Sequence, residues 1–246
     1  MKTLILMIQF FTRIPIKFTG DIKKNDFSKG VLYFPLVGLI IGVLNSIVYC
    51  IFSRVIDGYT PFIVVIIFNE LITGALHLDG LADSCDGLFS ARKKDRMLEI
   101  MRDSRIGTNG VLALIFTIII KINLLYSLPE TIILQSIVIL PVIGRGVLSF
   151  VTYRAYYARE GEGLGSLIIG KTTLKRTLGA VALTAFISYM LLDTLGILAF
   201  CFCIIIGYIL RRNFTRIIGG LTGDLLGAIN EVVEIFVLFI LVSFGG

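Results

Sequence analysis

Long apolar runs alternate with short polar segments along most of the chain. Seven of these runs are close to the length that a helix needs to cross about 30 Å of hydrocarbon. Their approximate ranges are 31–53, 59–76, 109–128, 131–153, 177–193, 194–211 and 226–244. The fifth and sixth runs are short and meet in the segment LLDTLG, where Asp193 marks a tight turn. The pattern predicts an all-α, polytopic integral membrane bundle of about six to seven transmembrane helices, forming a single domain over residues 1–246.

The amino-acid composition supports a membrane location. Hydrophobic residues make up 56% of the chain and charged residues 16%, whereas a soluble domain has roughly 25% charged residues. The N-terminal stretch MKTLILMIQFFTRIPIKF has the length of a signal peptide, but it lacks a small-residue cleavage site and is interrupted by Arg13-Ile14-Pro15. We therefore expect a retained interfacial or re-entrant segment at the N-terminus.

The positions of the basic residues predict the orientation of the bundle. Lys and Arg number 23 against 17 Asp and Glu, for a net charge of +6. The basic residues cluster in the N-terminal segment and in the loops after the second, fourth and sixth runs, whereas the intervening loops contain Arg54 and little else. This positive-inside pattern predicts a multi-pass protein of the cytoplasmic membrane with these regions on the cytoplasmic side. The same pattern accounts for the net positive charge, so no nucleic-acid partner is expected. The expected partner of the apolar runs is membrane lipid.

The segment HLDGLADSCDGLFS, residues 77–90, places three carboxylates at the end of the second run. Asp79, Asp83 and Asp86 have the spacing i, i+4, i+7, which puts them within about 60° on one helical face. Carboxylates this close repel one another unless a cation lies between them, and oxygen ligands favour Mg²⁺ or Mn²⁺. The alternative is a solvated helix end with scattered acids. In either case we expect His77 to be a structural histidine at a helix end and not a metal ligand.

The segment MRDSRIGTNG, residues 101–110, combines acidic, basic and glycine residues. Asp103 can join a metal site or orient a nucleophile, and Arg102 and Arg105 can bind phosphate oxygens. Gly107 belongs to a loop with free N–H groups at the start of the third run, a usual place for an anion. An ordinary helix start with positive-inside arginines explains the same residues.

Two further glycine-rich segments carry candidate residues. In GGLTGDLLGAINEVVE, residues 219–234, Asp224 and Glu231 are seven apart and share a helical face. Gly219, Gly220 and Gly223 there resemble a loop that a phosphate can approach, and Arg159 in YYAREGEGLGSLIIGK lies beside three alternating glycines that can also bind phosphate. The alternative for the first segment is that its glycines serve close helix packing and Asp224 caps the helix. The second segment is equally compatible with a flexible loop. Within the apolar runs, Arg145 needs a carboxylate partner, and Lys121 can snorkel to the interface.

Several of these segments resemble the signature blocks of one family. HLDGLADSCDGL, MRDSRIGTNG, YAREGEGLG, GGLTGDLLGAINEVVE and the early FFTRIP are similar, in this order, to cobalamin synthase, the adenosylcobinamide-GDP ribazoletransferase family. The resemblance implies an integral membrane enzyme that needs Mg²⁺, joins adenosylcobinamide-GDP to α-ribazole or its 5′-phosphate, and releases GMP. It is also compatible with a homo-oligomer or with association with other enzymes of the same pathway.

The residues and the resemblance together give a predicted site for phosphoryl transfer, which depends on positioning and charge neutralisation. The predicted metal ligands are Asp79, Asp83, Asp86, Asp224 and Glu231. The predicted catalytic residues are Asp103, Arg105 and Asp86. The predicted substrate-binding residues are Arg102, Gly107, Arg159, Gly220, Thr222 and Gly223.

Two other functions explain part of the pattern. CDP-alcohol phosphotransferases also use closely spaced aspartates, but DSCDGLFSAR has one extra residue before Ala91-Arg92, and the downstream residues fall out of register. An ion-coupled transporter would use ionisable groups inside the apolar runs, and the candidates for such an ion path are Glu70, Arg145, Glu231 and Glu234. Against it, we find no internal repeat, and the remaining acids gather at one face of the membrane.

Overall fold

The computed structural model describes residues 2–16, 21–161 and 163–245, and in these ranges the regular elements are helical. The all-α prediction is therefore confirmed. The α-helices are α1 Lys2–Phe11, α2 Lys24–Gly30, α3 Phe34–Phe52, α4 Thr60–Thr73, α5 Leu76–Leu88, α6 Lys94–Ile100, α7 Thr108–Tyr126, α8 Ile133–Val151, α9 Leu174–Ile218 and α10 Gly223–Phe244.

Five helices are long and apolar enough to cross a membrane within the described ranges, and α4 with α5 forms a sixth candidate that is bent by 89°. Helix α9 has 45 residues but is non-helical at Leu192 and Asp193. A Cβ on Gly196 would overlap the Ser188 carbonyl across this break, so the chain reverses there. The tight turn predicted at Asp193 is confirmed, and counting both arms of α9 gives the seven predicted segments.

Two predicted boundaries differ from the structure. The second run was expected to extend over 59–76, but α4 ends at Thr73 because Gly74 adopts a left-handed conformation. The sixth run was expected to end near 211, but the second arm of α9 remains helical to Ile218 and carries basic residues beyond its apolar part.

Helices α8 and α10 form the centre of the bundle, and most of their residues are buried. They contact each other, and α3, α5 and α9 pack around them. A Cβ on Gly38 would overlap the Pro141 carbonyl, and one on Gly42 would overlap the Val138 carbonyl. These two glycines, four residues apart, therefore let α3 approach the α8 backbone, as small residues do between membrane helices.

The outward faces of the surrounding helices are apolar, as a lipid environment requires. Large side chains on these faces are more than one-third exposed, among them Ile47, Ile67, Phe116, Phe186 and Ile205. Helix α1, by contrast, has ten residues and a length of about 15 Å, which is too short to span a bilayer. It packs against α2 and α3 through Met7 and Phe11. Its interfacial location and its retention stay predictions.

A cluster of charges lies inside the bundle, among apolar side chains. Lys121 Nζ is 2.6 Å from Glu231 Oε2 and 2.7 Å from Glu234 Oε2, and Arg145 Nη1 is 2.7 Å from Glu234 Oε1. All four residues are buried. The carboxylate partner predicted for Arg145 is confirmed, whereas Lys121 does not snorkel, because its ammonium group is held between two glutamates. The cluster connects α7, α8 and α10.

Replacement of Lys121 by Met should strongly destabilise the protein, because it leaves two buried carboxylates with one cation. Breaking a buried ion pair costs about 3–5 kcal/mol, so we expect the thermal unfolding midpoint in detergent to fall by roughly 10 °C. The double variant Lys121→Met/Glu231→Gln should recover part of this loss, since Glu234 keeps Arg145. Lys175→Met, at an exposed position of α9, is the matched control. Equal midpoints for the single and double variants would contradict a paired cluster.

Candidate active site

The bend between α4 and α5 turns the acidic segment away from the direction of α4. Gly74 has a φ of 66° and Ala75 a φ of 54°, so two successive residues are left-handed. The backbone N–H of Arg13 donates to the Ile72 carbonyl at 2.6 Å, which satisfies one acceptor at the end of α4. The following helix, α5, contains Asp79, Asp83 and Asp86, as the i, i+4, i+7 spacing predicted.

Glycines bring α5 and α10 into backbone contact. A Cβ on Gly80 would lie 2.7 Å from the Asp224 carbonyl oxygen, and one on Gly227 would lie 2.9 Å from the His77 carbonyl oxygen. A larger residue at either position would force the two helices apart. This contact places Asp79 and Asp83 of α5 near Asp224 of α10.

Three carboxylates, those of Asp79, Asp83 and Asp224, lie at this junction. Asp83 is half-buried and is repelled by the charges of Asp224, Asp79 and Asp86. Neither the Asp79 nor the Asp83 side chain has a hydrogen-bond or ion-pair partner within the described part of the chain. No group of three His, Cys, Asp or Glu side chains among the described residues has the arrangement of a complete metal site. The carboxylates instead suit Mg²⁺, which commonly takes one or two protein carboxylates together with water and substrate phosphates.

Asp86 interacts with the start of α7. Its Oδ2 accepts a hydrogen bond from the Gly107 N–H at 2.7 Å, and its Oδ1 accepts one from the Gly110 N–H at 2.8 Å. A Cβ on Gly110 would overlap this carboxylate. Asp86 therefore stabilises the N-terminus of α7, where a negative charge is favourable. The Gly107 N–H that was expected to bind a substrate anion is occupied by this carboxylate.

Arg159 joins the segment after α8 to the start of α10. Its Nη2 donates to Asp224 Oδ2 in a short ion pair and to the Met101 carbonyl at 3.2 Å. Its Nε is buried and has no hydrogen-bond partner. A buried guanidinium N–H without an acceptor is costly, and a phosphate oxygen is a suitable acceptor for it.

Backbone pairing fixes Arg159 beside Asp224. Ala158 N–H donates to the Leu221 carbonyl at 2.9 Å, and Leu221 N–H donates to the Tyr156 carbonyl at 2.8 Å. Gly220 belongs to this pairing, since a Cβ there would overlap the Tyr156 carbonyl.

The three residues predicted to bind phosphate before α10 have different environments. Gly220 is buried in the backbone pairing just described. Thr222 is fully buried and caps α10 by accepting from the Leu225 N–H at 3.2 Å. Gly223 is exposed and lines a cavity. Of the three, Gly223 is the residue that a substrate can approach.

The loop between α6 and α7 holds its own ion pair. Arg105 Nε is 3.0 Å from Asp103 Oδ1, and Arg105 Nη2 is 2.7 Å from Asp103 Oδ2. These bonds lower the pKa of the Asp103 carboxyl to about 2. Asp103 therefore stays ionised and paired at neutral pH, which makes it a poor proton acceptor. Arg102 is exposed and reaches the Glu160 carbonyl at 3.4 Å, and Glu162 lies outside the described residues.

Glu231 is not brought to the aspartates. It is on the same face of α10 as Asp224, as expected, but seven residues correspond to about 10 Å along a helix. At that depth it is paired with Lys121. We therefore leave Glu231 out of the proposed metal site below.

A cavity of about 230 Å³ opens at the junction of α5 and α10. Its polar wall contains Asp79, Arg159 and Asp224. Its apolar wall is formed mainly by Phe10, Phe11, Phe34, Leu148 and Ile168. These phenylalanines were not among the candidate site residues predicted from the sequence, although Phe10 and Phe11 begin the FFTRIP segment.

Fold and site together define a multi-pass membrane protein with carboxylates and an arginine around a cavity at one end of the bundle. Residues 3–242 match the family model described as cobalamin-5-phosphate synthase. The chain belongs to this family.

Proteins named adenosylcobinamide-GDP ribazoletransferase are similar to the chain over nearly its whole length. The protein from Clostridium novyi is 44% identical, with 100% of this chain and 98% of that protein covered. The protein from a Thermoanaerobacter species is 40% identical, with coverages of 98% and 97%. The protein from Listeria monocytogenes serotype 4a is 39% identical, with coverages of 100% and 99%. No solved structure matches the chain.

The capping role of Asp86 can be tested by hydrogen exchange of the amides between 103 and 112. Asp86→Asn loses the charge and one of the two acceptors, and a hydrogen bond to a charged group contributes about 1.5–3 kcal/mol. We expect at least roughly 10-fold faster exchange at Gly107 and Gly110. Asp83→Asn is the matched control, because Asp83 accepts no hydrogen bond from this segment. Equal exchange in the two variants would contradict the capping role.

Proposed function

We propose that the protein joins adenosylcobinamide-GDP to α-ribazole or α-ribazole 5′-phosphate and releases GMP, with Mg²⁺ as the cofactor. The family membership and the names of the relatives support the reaction. The observation that carries it in the structure is the Arg159 Nε–H, which is buried without an acceptor next to Asp224 and the unpaired Asp79. Such a site has groups for both a phosphate and a cation.

The reaction is a phosphoryl transfer. A ribose hydroxyl of α-ribazole attacks the phosphorus that is joined to cobinamide, and a new P–O bond forms. The P–O bond to GMP breaks, GMP leaves with the electron pair, and the hydroxyl proton is released. Because phosphoryl transfer requires little covalent chemistry from the protein, the main role of the protein is to position the reacting groups and to neutralise their charge.

Residues of this chain divide these tasks. Arg159 binds non-bridging phosphate oxygens through its unused N–H and through N–H groups that now face Asp224. Asp79, Asp83 and Asp224 would hold Mg²⁺, and the ion, when bound, would supply charge neutralisation for the diphosphate and for the attacking oxygen. The repulsion of Asp83 by its acidic neighbours supports this assignment, since a cation among them would relieve it. Asp86 and the backbone pairing of 156–158 with 220–222 act as positioning elements.

GMP release by the purified protein tests this function and the acidic site together. With adenosylcobinamide-GDP and α-ribazole 5′-phosphate, we expect Mg²⁺-dependent GMP release with an equal amount of cobalamin product. EDTA should abolish it. Asp83→Asn should lower the rate at least about 100-fold, because a ligand of the charge-neutralising cation is lost. Asp95→Asn, an exposed acid in α6, is the matched control and should retain activity.

Two outcomes would overturn the proposal. Folded protein that releases no GMP and forms no cobalamin product would exclude this reaction, and release of CMP from CDP-alcohols would then favour the CDP-alcohol phosphotransferase alternative. Full activity of Asp83→Asn, or activity in EDTA, would exclude the acidic metal site while leaving the reaction intact.

We further propose that the site lies on the cytoplasmic side of the cytoplasmic membrane. Three basic segments approach one another at one end of the bundle. Arg159 reaches the Met101 carbonyl, and the Lys94 ammonium group lies about 3.0 Å from a Cβ placed on Gly219. At the other end, Tyr59 stacks on Tyr126 with ring centroids 3.9 Å apart. Positive charge at one end favours a cytoplasmic position for it.

Cysteine labelling tests this orientation. In a background without the native cysteines, Ser104→Cys should react with a membrane-impermeant maleimide in inside-out vesicles and not in right-side-out vesicles. Val55→Cys, 78% exposed in the loop before α4, should show the opposite pattern and serves as the matched control. Labelling of Ser104→Cys from the outside alone would reverse the orientation.

A further inference from the structure

We infer that the cavity at the junction of α5 and α10 binds the dimethylbenzimidazole ring of α-ribazole, with the ribose toward Arg159 and Asp224. This inference rests on the proposed function and names the part of the substrate that the cavity takes. The observations that carry it are the size of the cavity, its aromatic wall and the position of its polar wall.

The size of the cavity selects among the parts of the two substrates. A cavity of about 150 Å³ is enough for benzene, whereas sites for larger ligands occupy about 300–1,000 Å³. At about 230 Å³, the cavity has room for a bicyclic aromatic ring. A corrin macrocycle is far larger and must remain outside, so the cobinamide part of the first substrate does not fit.

The aromatic wall suits a flat apolar ring. The rings of Phe10 and Phe11 have centroids 4.8 Å apart, and those of Phe11 and Phe34 are also 4.8 Å apart, both in edge-to-face geometry. Leu148 and Ile168 complete the apolar surface. A ligand ring that packs here displaces water that would otherwise contact the phenyl groups. The wall therefore favours an aromatic ligand with few polar atoms.

The polar groups of the cavity discriminate between dimethylbenzimidazole and guanine. Guanine carries an amide and an amino group, which would need several hydrogen-bond partners on leaving water. Besides the charged residues of the polar wall, the cavity offers two polar side chains: Tyr157, and His77, which is buried and whose Nε2 has no partner. Dimethylbenzimidazole in α-ribazole has a single free ring nitrogen, so its demand for hydrogen bonds matches this wall.

The reacting end of the nucleoside then meets the polar wall. Arg159, Asp79 and Asp224 line the same cavity as the phenylalanines. A ring held among the phenylalanines therefore presents its ribose to the groups proposed to hold phosphate and Mg²⁺. Binding of the base in this cavity would hold the attacking hydroxyl of the ribose close to the diphosphate. Such positioning makes a large contribution to catalysis by proximity.

Equilibrium binding of α-ribazole alone, without adenosylcobinamide-GDP, tests the inference. Binding is followed by the fluorescence of the benzimidazole ring, with protein in detergent or nanodiscs. We expect α-ribazole to bind, and ribose 5-phosphate, which lacks the base, to compete poorly. Phe10→Ala should weaken α-ribazole binding about 10-fold or more, because a stacking partner is lost. Phe89→Ala, an exposed phenylalanine outside the cavity, should leave it unchanged.

A second variant avoids any dependence on core packing. Leu164 lines the cavity and is 61% exposed, so Leu164→Trp should narrow the entrance without disturbing the fold. We expect about a 10-fold or greater loss of α-ribazole affinity. Leu174→Trp, at an exposed position away from the cavity, is the matched control.

The outcomes separate this inference from the proposed function. No α-ribazole binding by the unsubstituted protein, or equal affinity in Phe10→Ala, Leu164→Trp and their controls, would overturn the inference even if GMP is released in the enzymatic assay. Displacement of α-ribazole by GMP at similar concentrations would also overturn it, because guanine would then occupy the cavity. Cavity-dependent α-ribazole binding without GMP release would support the inference and count against the proposed reaction.

Discussion

The backbone contact between α5 and α10 is the constraint on which the site depends. Gly80 and Gly227 leave no room for side chains between the two helices, so the aspartates of one helix stand beside the acid of the other. Neither helix has a complete site by itself. Because the contact is made by backbone atoms, it is less adaptable than side-chain packing, and it keeps repelling carboxylates close together. The repulsion makes the junction receptive to a cation.

Helix α10 carries acids in two environments that differ in depth. Asp224, in its first turn, faces Arg159 and the cavity, whereas Glu231 and Glu234 lie deeper and are paired with Lys121 and Arg145. The deeper acids are balanced by two cations and hold α7, α8 and α10 in register. An ion-coupled transporter needs such groups to exchange partners with a moving ion, and this closed cluster has a structural explanation instead. It fixes the depth and rotation of α10, and so the position of Asp224.

Features that depend on local pattern could be predicted from the sequence. The apolar runs, the turn at Asp193 and the shared helical face of the α5 aspartates follow from periodicities of the chain. The partner of Arg145 follows from the cost of an unpaired charge among apolar residues.

Features that depend on contacts between distant segments could not be predicted. The acceptor role of Asp86 requires the loop at Gly107 to fold back over it, 21 residues later along the chain. The role of Gly220 depends on its pairing with the segment around Tyr157. Glu231 shares a helical face with Asp224, and the helical period predicts this. The period does not predict which side chains of the other helices lie beside each of the two acids. The aromatic wall combines α1 with α3, and no local signal joins them.

The bend before α5 explains how an apolar bundle can hold three aspartates at its surface. A straight continuation of α4 would carry Asp79, Asp83 and Asp86 along the direction of the membrane-spanning part, where each charge is costly. A left-handed conformation at Ala75 costs about 1–2 kcal/mol, which is less than the burial of even one carboxylate in hydrocarbon. The 89° turn lays α5 across the end of α10 instead. Strain in one alanine thus keeps the acids accessible to a polar substrate while glycine packing keeps them together.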